Sequence, residues 1–184
     1  DYKARIATFR ERALYADDDA TYAIHHTIDL SKIEPMVSCP HTVDNTQPVS
    51  NLYHVAVDVG FIGTCTNGQL EDIAIAAETL KGHKIKSRLI VIPASSMVLR
   101  DATEAGYITT LLDAGATIGT PGCGPCMGNH MGILAPNEVC ISSASRNFRG
   151  RMGERDSDIY LSSPAVVAAS CITGHIVHPS EIGD

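Results

Sequence analysis

The stretch Arg88-Leu89-Ile90-Val91-Ile92 decides the fold. A short unbroken run of branched apolar residues reads as a strand covered on both faces, as in a parallel sheet. Working back from it, Gln69 to Lys81 carries apolar residues at helical spacing (Ile73, Ala76, Ala77, Leu80), and Gly82 stands where a C-terminal cap belongs. Before that helix, Tyr53 to Val59 (YHVAVDV) alternates apolar and polar residues and runs into Gly60, so a first strand is expected there. Working forward, Ser95 or Ser96 caps a helical stretch that Gly106 separates from a second, Tyr107 to Ala114. Ala116 to Gly119 reads as a third strand and Glu138 to Ser142 (EVCIS) as a fourth. Ser163-Pro164 opens a helix that runs to about Cys171 and stops before Gly174.

Strands alternating with helices imply an α/β fold with a mostly parallel sheet covered on both faces, a three-layer α/β/α arrangement. Such sheets bind ligands beyond the carboxyl ends of their strands. Cys65 follows the first expected strand, Cys123 and Cys126 the third, and Arg146, Arg149 and Arg151 the fourth. All of these groups are therefore expected on one edge.

Residues 1–50 differ in character from residues 51–184, the expected α/β unit. Tyr2 to Leu14 reads as a basic-faced helix and Tyr22 to Leu30 as an edge strand. Lys32 to Ser50, holding Pro35, Pro40 and Pro48, reads as an extended wrapping segment. At 184 residues, 44% hydrophobic and 19% charged, the chain can bury a core. A formal charge of −7 without any Lys/Arg run excludes a nucleic-acid footprint. The longest apolar runs are about six residues against the ~18 that span a bilayer, and no leader pattern opens the chain, so a cytoplasmic protein is expected.

The six cysteines fit metal binding better than a disulfide framework, given this chain length and their uneven spacing. Three lie in the glycine-rich stretches FIGTCTNG (Phe61 to Gly68) and TPGCGPCMG (Thr120 to Gly128). Gly122 and Gly124 let the backbone turn its N–H groups toward a sulfur-rich anion, while Thr66 and Asn67 add hydrogen-bonding groups beside Cys65. Three thiolates are one fewer than a closed tetrahedral site takes, which is the pattern of a metal centre with an open, reactive position. A zinc site using Cys39 or a histidine as fourth ligand, and a thiol-redox Cys-x-x-Cys, stay open as alternatives; the second leaves Cys65 without a role. Cys140 and Cys171 read as small core residues.

Ser145 to Gly153 (SRNFRGRMG) brings three guanidinium groups together after a strand end. Guanidinium forks grip carboxylates through paired hydrogen bonds of about 1.5–3 kcal/mol each. Two nucleotide readings fail. Gln69-Leu70 stands where a P-loop needs Lys-Ser/Thr, and Met127 where a dinucleotide fingerprint needs glycine.

FIGTCTNG, TPGCGPCMG and RNFRGRMG, in this order, resemble the aconitase family of iron–sulfur hydro-lyases, as do PHTVDN from Pro40 and the stretch from Ser163 through Gly174. The ending Gly-Arg-Met-Gly is more similar to the 3-isopropylmalate dehydratase and homoaconitase large subunits than to the citrate enzymes. The resemblance implies that Cys65, Cys123 and Cys126 bind a [4Fe–4S] cluster with one iron left without a protein ligand. It also implies that Arg146 and Arg151 hold substrate carboxylates, with Asn67 and Ser145 in the cluster's surroundings; the family usually has asparagine where Ser145 stands. Large subunits of the family are much longer. The chain thus resembles their cluster-bearing third domain, with no catalytic acid or base of its own, a small subunit as partner, and no turnover by itself. The implied activity is isomerisation of a 2-hydroxy dicarboxylic acid such as 3-isopropylmalate, in leucine biosynthesis, or of homocitrate or a methylmalate.

Overall fold

The computed structural model of the protein describes residues 2–183, and it sets Val59–Gly63, not Tyr53–Val59, as the strand that enters the middle of the sheet. All five of its residues are buried. A central parallel strand is covered on both faces, so the unbroken Val-Gly-Phe-Ile-Gly run suits it and the alternating stretch before it does not. That earlier stretch follows a 3-10 turn, Val49–Leu52, and forms no strand before Val59; Ala56 makes an isolated bridge with His175.

Among the described residues seven strands form one sheet: β1 (Met36–Ser38), β2 (Thr46–Pro48), β3 (Val59–Gly63), β4 (Arg88–Ile92), β5 (Thr117–Ile118), β6 (Val139–Ser142) and β7 (Asp158–Leu161), in the order β2-β1-β7-β6-β3-β4-β5. The run from β7 through β6, β3 and β4 to β5 is parallel, with Ile62 opposite Val91 and Phe61 opposite Ser142. The β1–β2 hairpin joins antiparallel at the β7 edge.

Among the described residues α1 (Tyr2–Glu11) lies in the stretch before the sheet begins, and α2 (Leu70–Leu80), α3 (Ser96–Glu104), α4 (Tyr107–Ala114) and α5 (Pro164–Thr173) accompany the sheet. Their ends follow local chemistry. Gln69 and Asp72 form a reciprocal capping box on α2, Ser95 Oγ accepts from Val98 N at 3.2 Å, and Ser163 Oγ accepts from Val166 N at 3.4 Å. Each such cap is worth about 1 kcal/mol.

Alternate residues of the strands feed two cores. On one face Ile62, Leu89, Val91 and Ile141 pack with Ile73, Leu80, Leu111 and Val167 from α2, α4 and α5. On the other, Val59, Phe61, Ile90, Ile92, Cys140 and Ile159 pack under Cys126, Leu134, Ala144 and Met152. The α/β class and mostly parallel sheet are those expected, but the second covering layer is made of loops rather than α-helices. Of those loops, 119–138 is rich in glycine and proline and 143–157 holds two glycines, and both carry candidate site residues, which suits irregular backbone.

The chain divides into one unit up to Ile33 and another from Glu34. The expected division at residue 50 differs, because β1 and β2 bond into the sheet. Within the first unit, residues 22–30 form no strand; Tyr22, Ile24 and Ile28 are exposed. Alternation alone makes no strand without a partner edge to pair with. No helix among the described residues is long and apolar enough to cross a membrane.

Candidate metal centre

Three loops leave the carboxyl ends of β3, β5 and β6, which lie near one another in the sheet order. The first folds back at once. Gly68 N donates to the Thr64 carbonyl at 2.9 Å, Ala94 N to the Gly68 carbonyl at 2.8 Å, and Gln69 Nε2 to the Cys65 carbonyl at 2.8 Å. Gly68 permits this turn, since a Cβ there would stand 2.6 Å from the Ile92 carbonyl oxygen. Cys65 is left exposed at the tip, with the Thr64 and Thr66 hydroxyls each 3.9 Å from its sulfur. These hydrogen bonds, Thr66 first, hold its thiol below the ordinary value of 9.0 and favour the thiolate a metal needs. Asn67 is turned away from open solvent: its Nδ2 donates to the Ser143 carbonyl, tying the β3 loop to the β6 loop.

The second loop reaches a 3-10 turn, Gly124–Met127, in which Cys126 N donates to the Cys123 carbonyl at 3.0 Å. Cys123 is exposed, whereas Cys126 is buried against Phe61 and Ile92. Gly124, at φ +52°, lets this turn press on the sheet. A Cβ there would lie 3.7 Å from Phe61 Cε2, and one on Gly63 would lie 3.1 Å from Phe61 Cζ. The two cysteine loops thus share one wall.

The third loop carries the arginines. Arg151, half-buried, points Nη2 at Cys126 Sγ, 3.8 Å away, and lies 5.4 Å from the centre of the Phe148 ring. Its Nε is buried without a partner. Arg146 is exposed; its Nη1 donates to the Ser145 carbonyl at 2.6 Å, and it makes no ion pair among the described residues. Arg149 is otherwise engaged, with His41 Nε2 at 2.9 Å, the Arg155 carbonyl at 3.3 Å and Asp156 at 4.0 Å. The structure therefore separates Arg149 from the other two. It also shows contacts of Asn147, Phe148 and His41, which lie in the stretches PHTVDN and RNFRGRMG but to which the sequence reading assigned no role.

The remaining cysteines lie inside. Cys140 and Cys171 are fully buried, and burial pushes the Cys171 thiol up to about 12 and that of Cys140 further. Cys39 packs with the core on the helix side of the sheet, while Cys126 belongs to the opposite core. Among the described residues, no three His, Cys, Asp or Glu side chains stand close enough to hold a metal ion as they are. The donor set at the rim nevertheless fits an iron–sulfur group: three free thiols, two of them exposed, beside an arginine with an unpaired buried N–H.

A family model described as the aconitase family (aconitate hydratase) matches residues 47–174. The homoaconitase large subunit of Thermus thermophilus is 57% identical over 171 residues, spanning 92% of this chain and 41% of that protein. The 3-isopropylmalate dehydratase large subunit 1 of Deinococcus radiodurans is 52% identical over 171 residues, 92% of this chain and 39% of that protein. A probable methanogen homoaconitase large subunit from Methanosarcina mazei is 53% identical over 169 residues, 92% of this chain and 43% of that protein. The chain thus spans about two fifths of the length of these relatives.

Proposed function

The chain belongs to the aconitase family, and we propose that it is the cluster-bearing domain of a hydro-lyase large subunit that acts on a 2-hydroxy di- or tricarboxylic acid. One observation carries the reading. The loops after β3, β5 and β6 carry three free thiols and two arginines, Arg146 and Arg151, that pair with no carboxylate among the described residues, all beyond one edge of the sheet.

In this reading Cys65, Cys123 and Cys126 hold a [4Fe–4S] cluster, and one iron has no protein ligand. When bound, such a cluster supplies a Lewis acid for the departing hydroxyl without redox turnover. The chain's own residues prepare the site. Thr64 and Thr66 favour the Cys65 thiolate, Asn67 fixes the loop that carries it, and the Gly124 turn sets the spacing of the other two thiols. Ser145 borders the same rim. Arg146 and Arg151 bind the substrate's carboxylates and orient it, so that a hydroxyl faces the cluster and a C–H faces a base supplied from outside this chain.

That relatives are a 3-isopropylmalate dehydratase and a homoaconitase favours 3-isopropylmalate or homocitrate as substrate, and that they are large subunits favours a small subunit as partner; a cytoplasmic biosynthetic enzyme is part of the same proposal. Cys39 sits on the wrong face of the sheet to complete a zinc site with Cys126, and no observation favours the thiol-redox alternative. The test is to combine the full-length large subunit, loaded with cluster anaerobically, with its small subunit and follow alkene formation. Turnover of one of these hydroxy acids is expected. Failure with every hydroxy acid, cluster and partner being present, would refute the reading.

A further inference from the structure

Resting on that reading, we infer that Asn147 is a positioning residue: it pins the arginine loop to the turn after β1 and so fixes where Arg146 presents its guanidinium. Asn147 is 1% exposed, although its neighbours Arg146 and Phe148 both face solvent. A polar side chain turned inward between two outward ones needs a polar reason to be there.

The reason is a set of three carbonyls. Asn147 Nδ2 lies 2.8 Å from the Cys39 oxygen and 3.3 Å from those of Ser38 and Thr42. Two N–H groups thus serve three acceptors, the Cys39 bond fully buried and the other two partly so. The turn they belong to is itself anchored. Cys39 N donates to the Asn45 carbonyl at 2.7 Å, Asn45 Nδ2 donates to Pro40 O at 3.0 Å, and Ser38 pairs with Leu161 of β7. Asn147 therefore ties the loop to the sheet, not to another mobile segment. The 2.9 Å contact of Arg149 with His41 adds a second tie to the same turn.

Arg146 has no comparable restraint of its own. Among the described residues its side chain's one hydrogen bond goes to the carbonyl of the preceding residue. Its position is inherited from the backbone, and the backbone is fixed one residue later by Asn147. Removing the Asn147 amide takes its donor from the buried Cys39 carbonyl, while the Thr42 carbonyl keeps Asn45 N, and frees the segment that carries Arg146.

The test uses Asn147→Ala and the isosteric Asn147→Asp in the full-length large subunit, with Arg146→Ala as control. Amide hydrogen exchange over residues 145–151 should speed up about tenfold or more while β3, β4 and β6 exchange as before. Unchanged exchange in that loop overturns the pin. In the active enzyme, KM should rise about tenfold while kcat and iron per chain stay within about twofold, a split that general destabilisation does not produce. If Arg146→Ala raises KM and neither Asn147 variant does, the inference is wrong. If Arg146→Ala itself leaves KM unchanged, the carboxylate-binding reading of Arg146 fails and the positioning role falls with it, even where exchange shows the pin.

Discussion

Gly124 stands directly against Ile92: a Cβ on Gly124 would lie 2.9 Å from Ile92 Cγ1. The carbonyl oxygen of the same Ile92 faces the Cys65 loop, 2.9 Å from a Cβ placed on Gly63 and 2.6 Å from one on Gly68. The last residue of β4 is therefore the wall on which both cysteine loops rest. Replacing Gly124 by alanine adds a side chain at φ +52° and pushes on that wall, a combined cost of about 1–3 kcal/mol in the local turn. Gly124→Ala should keep the helix-side core and lose most of its iron uptake. Circular dichroism and iron per chain after anaerobic reconstitution separate the two effects.

Gly60 gives a second close approach, deep in the helix-side core. A Cβ there would stand 2.1 Å from Cys171 Sγ. Gly60→Ala should destabilise by roughly 1–3 kcal/mol through overpacking. Adding Cys171→Ala should restore part of that loss, giving a coupling that urea unfolding reads as non-additivity. Additive losses would mean that the strain is relieved elsewhere.

The buried Cys171 also sets an alkaline limit. Its thiol is raised by burial from 9.0 to about 12. Unfolded, the thiol ionises above about pH 9, whereas folded it keeps its proton to about 12. The unfolded state thus binds fewer protons in that window, and stability falls as pH rises through it, by up to about tenfold in the folding constant per pH unit. Cys171→Ala should flatten the decline of urea midpoints between pH 9 and the alkaline end, leaving neutral-pH behaviour to packing alone.

The arginines divide by their bonds. Arg149 is held by His41, Arg155 and Asp156, so Arg149→Ala should lower thermal stability slightly and leave carboxylate binding within about twofold. Arg146→Ala should do the reverse, weakening binding of a hydroxy dicarboxylate by about tenfold or more with little change in melting temperature. Isothermal titration and thermal melts on the two variants distinguish these roles.

Strands β4, β5 and β6 and helices α2 to α5 were legible because each reports on itself: an apolar run, an i, i+3, i+4 stripe, a serine cap, a glycine stop; β3 was not, because the alternating stretch before it gave the stronger local signal. What eluded the sequence depended on distant partners. β7 (Asp158–Leu161) is four residues long after a glycine-rich loop and acquires its identity only beside β6. The alternation in 22–30 is as good as that of many strands but finds no edge. At the site, the family resemblance singled out Arg146 and Arg151, and Cys65, Cys123, Cys126 and the arginine group Arg146, Arg149 and Arg151 stood out by residue type and spacing. Asn147 did not, because its significance lies in carbonyls more than a hundred positions earlier.

Anaerobic reconstitution of the protein and of its Cys39→Ser, Cys65→Ser, Cys123→Ser and Cys126→Ser variants, with iron and sulfide counted per chain, tests the central claim most directly. The account predicts about four irons and matching sulfide with broad visible absorption for the parent and for Cys39→Ser, and near-complete loss in each of the other three. A colourless protein that binds one zinc through Cys39, or full iron loading without Cys65, would contradict it.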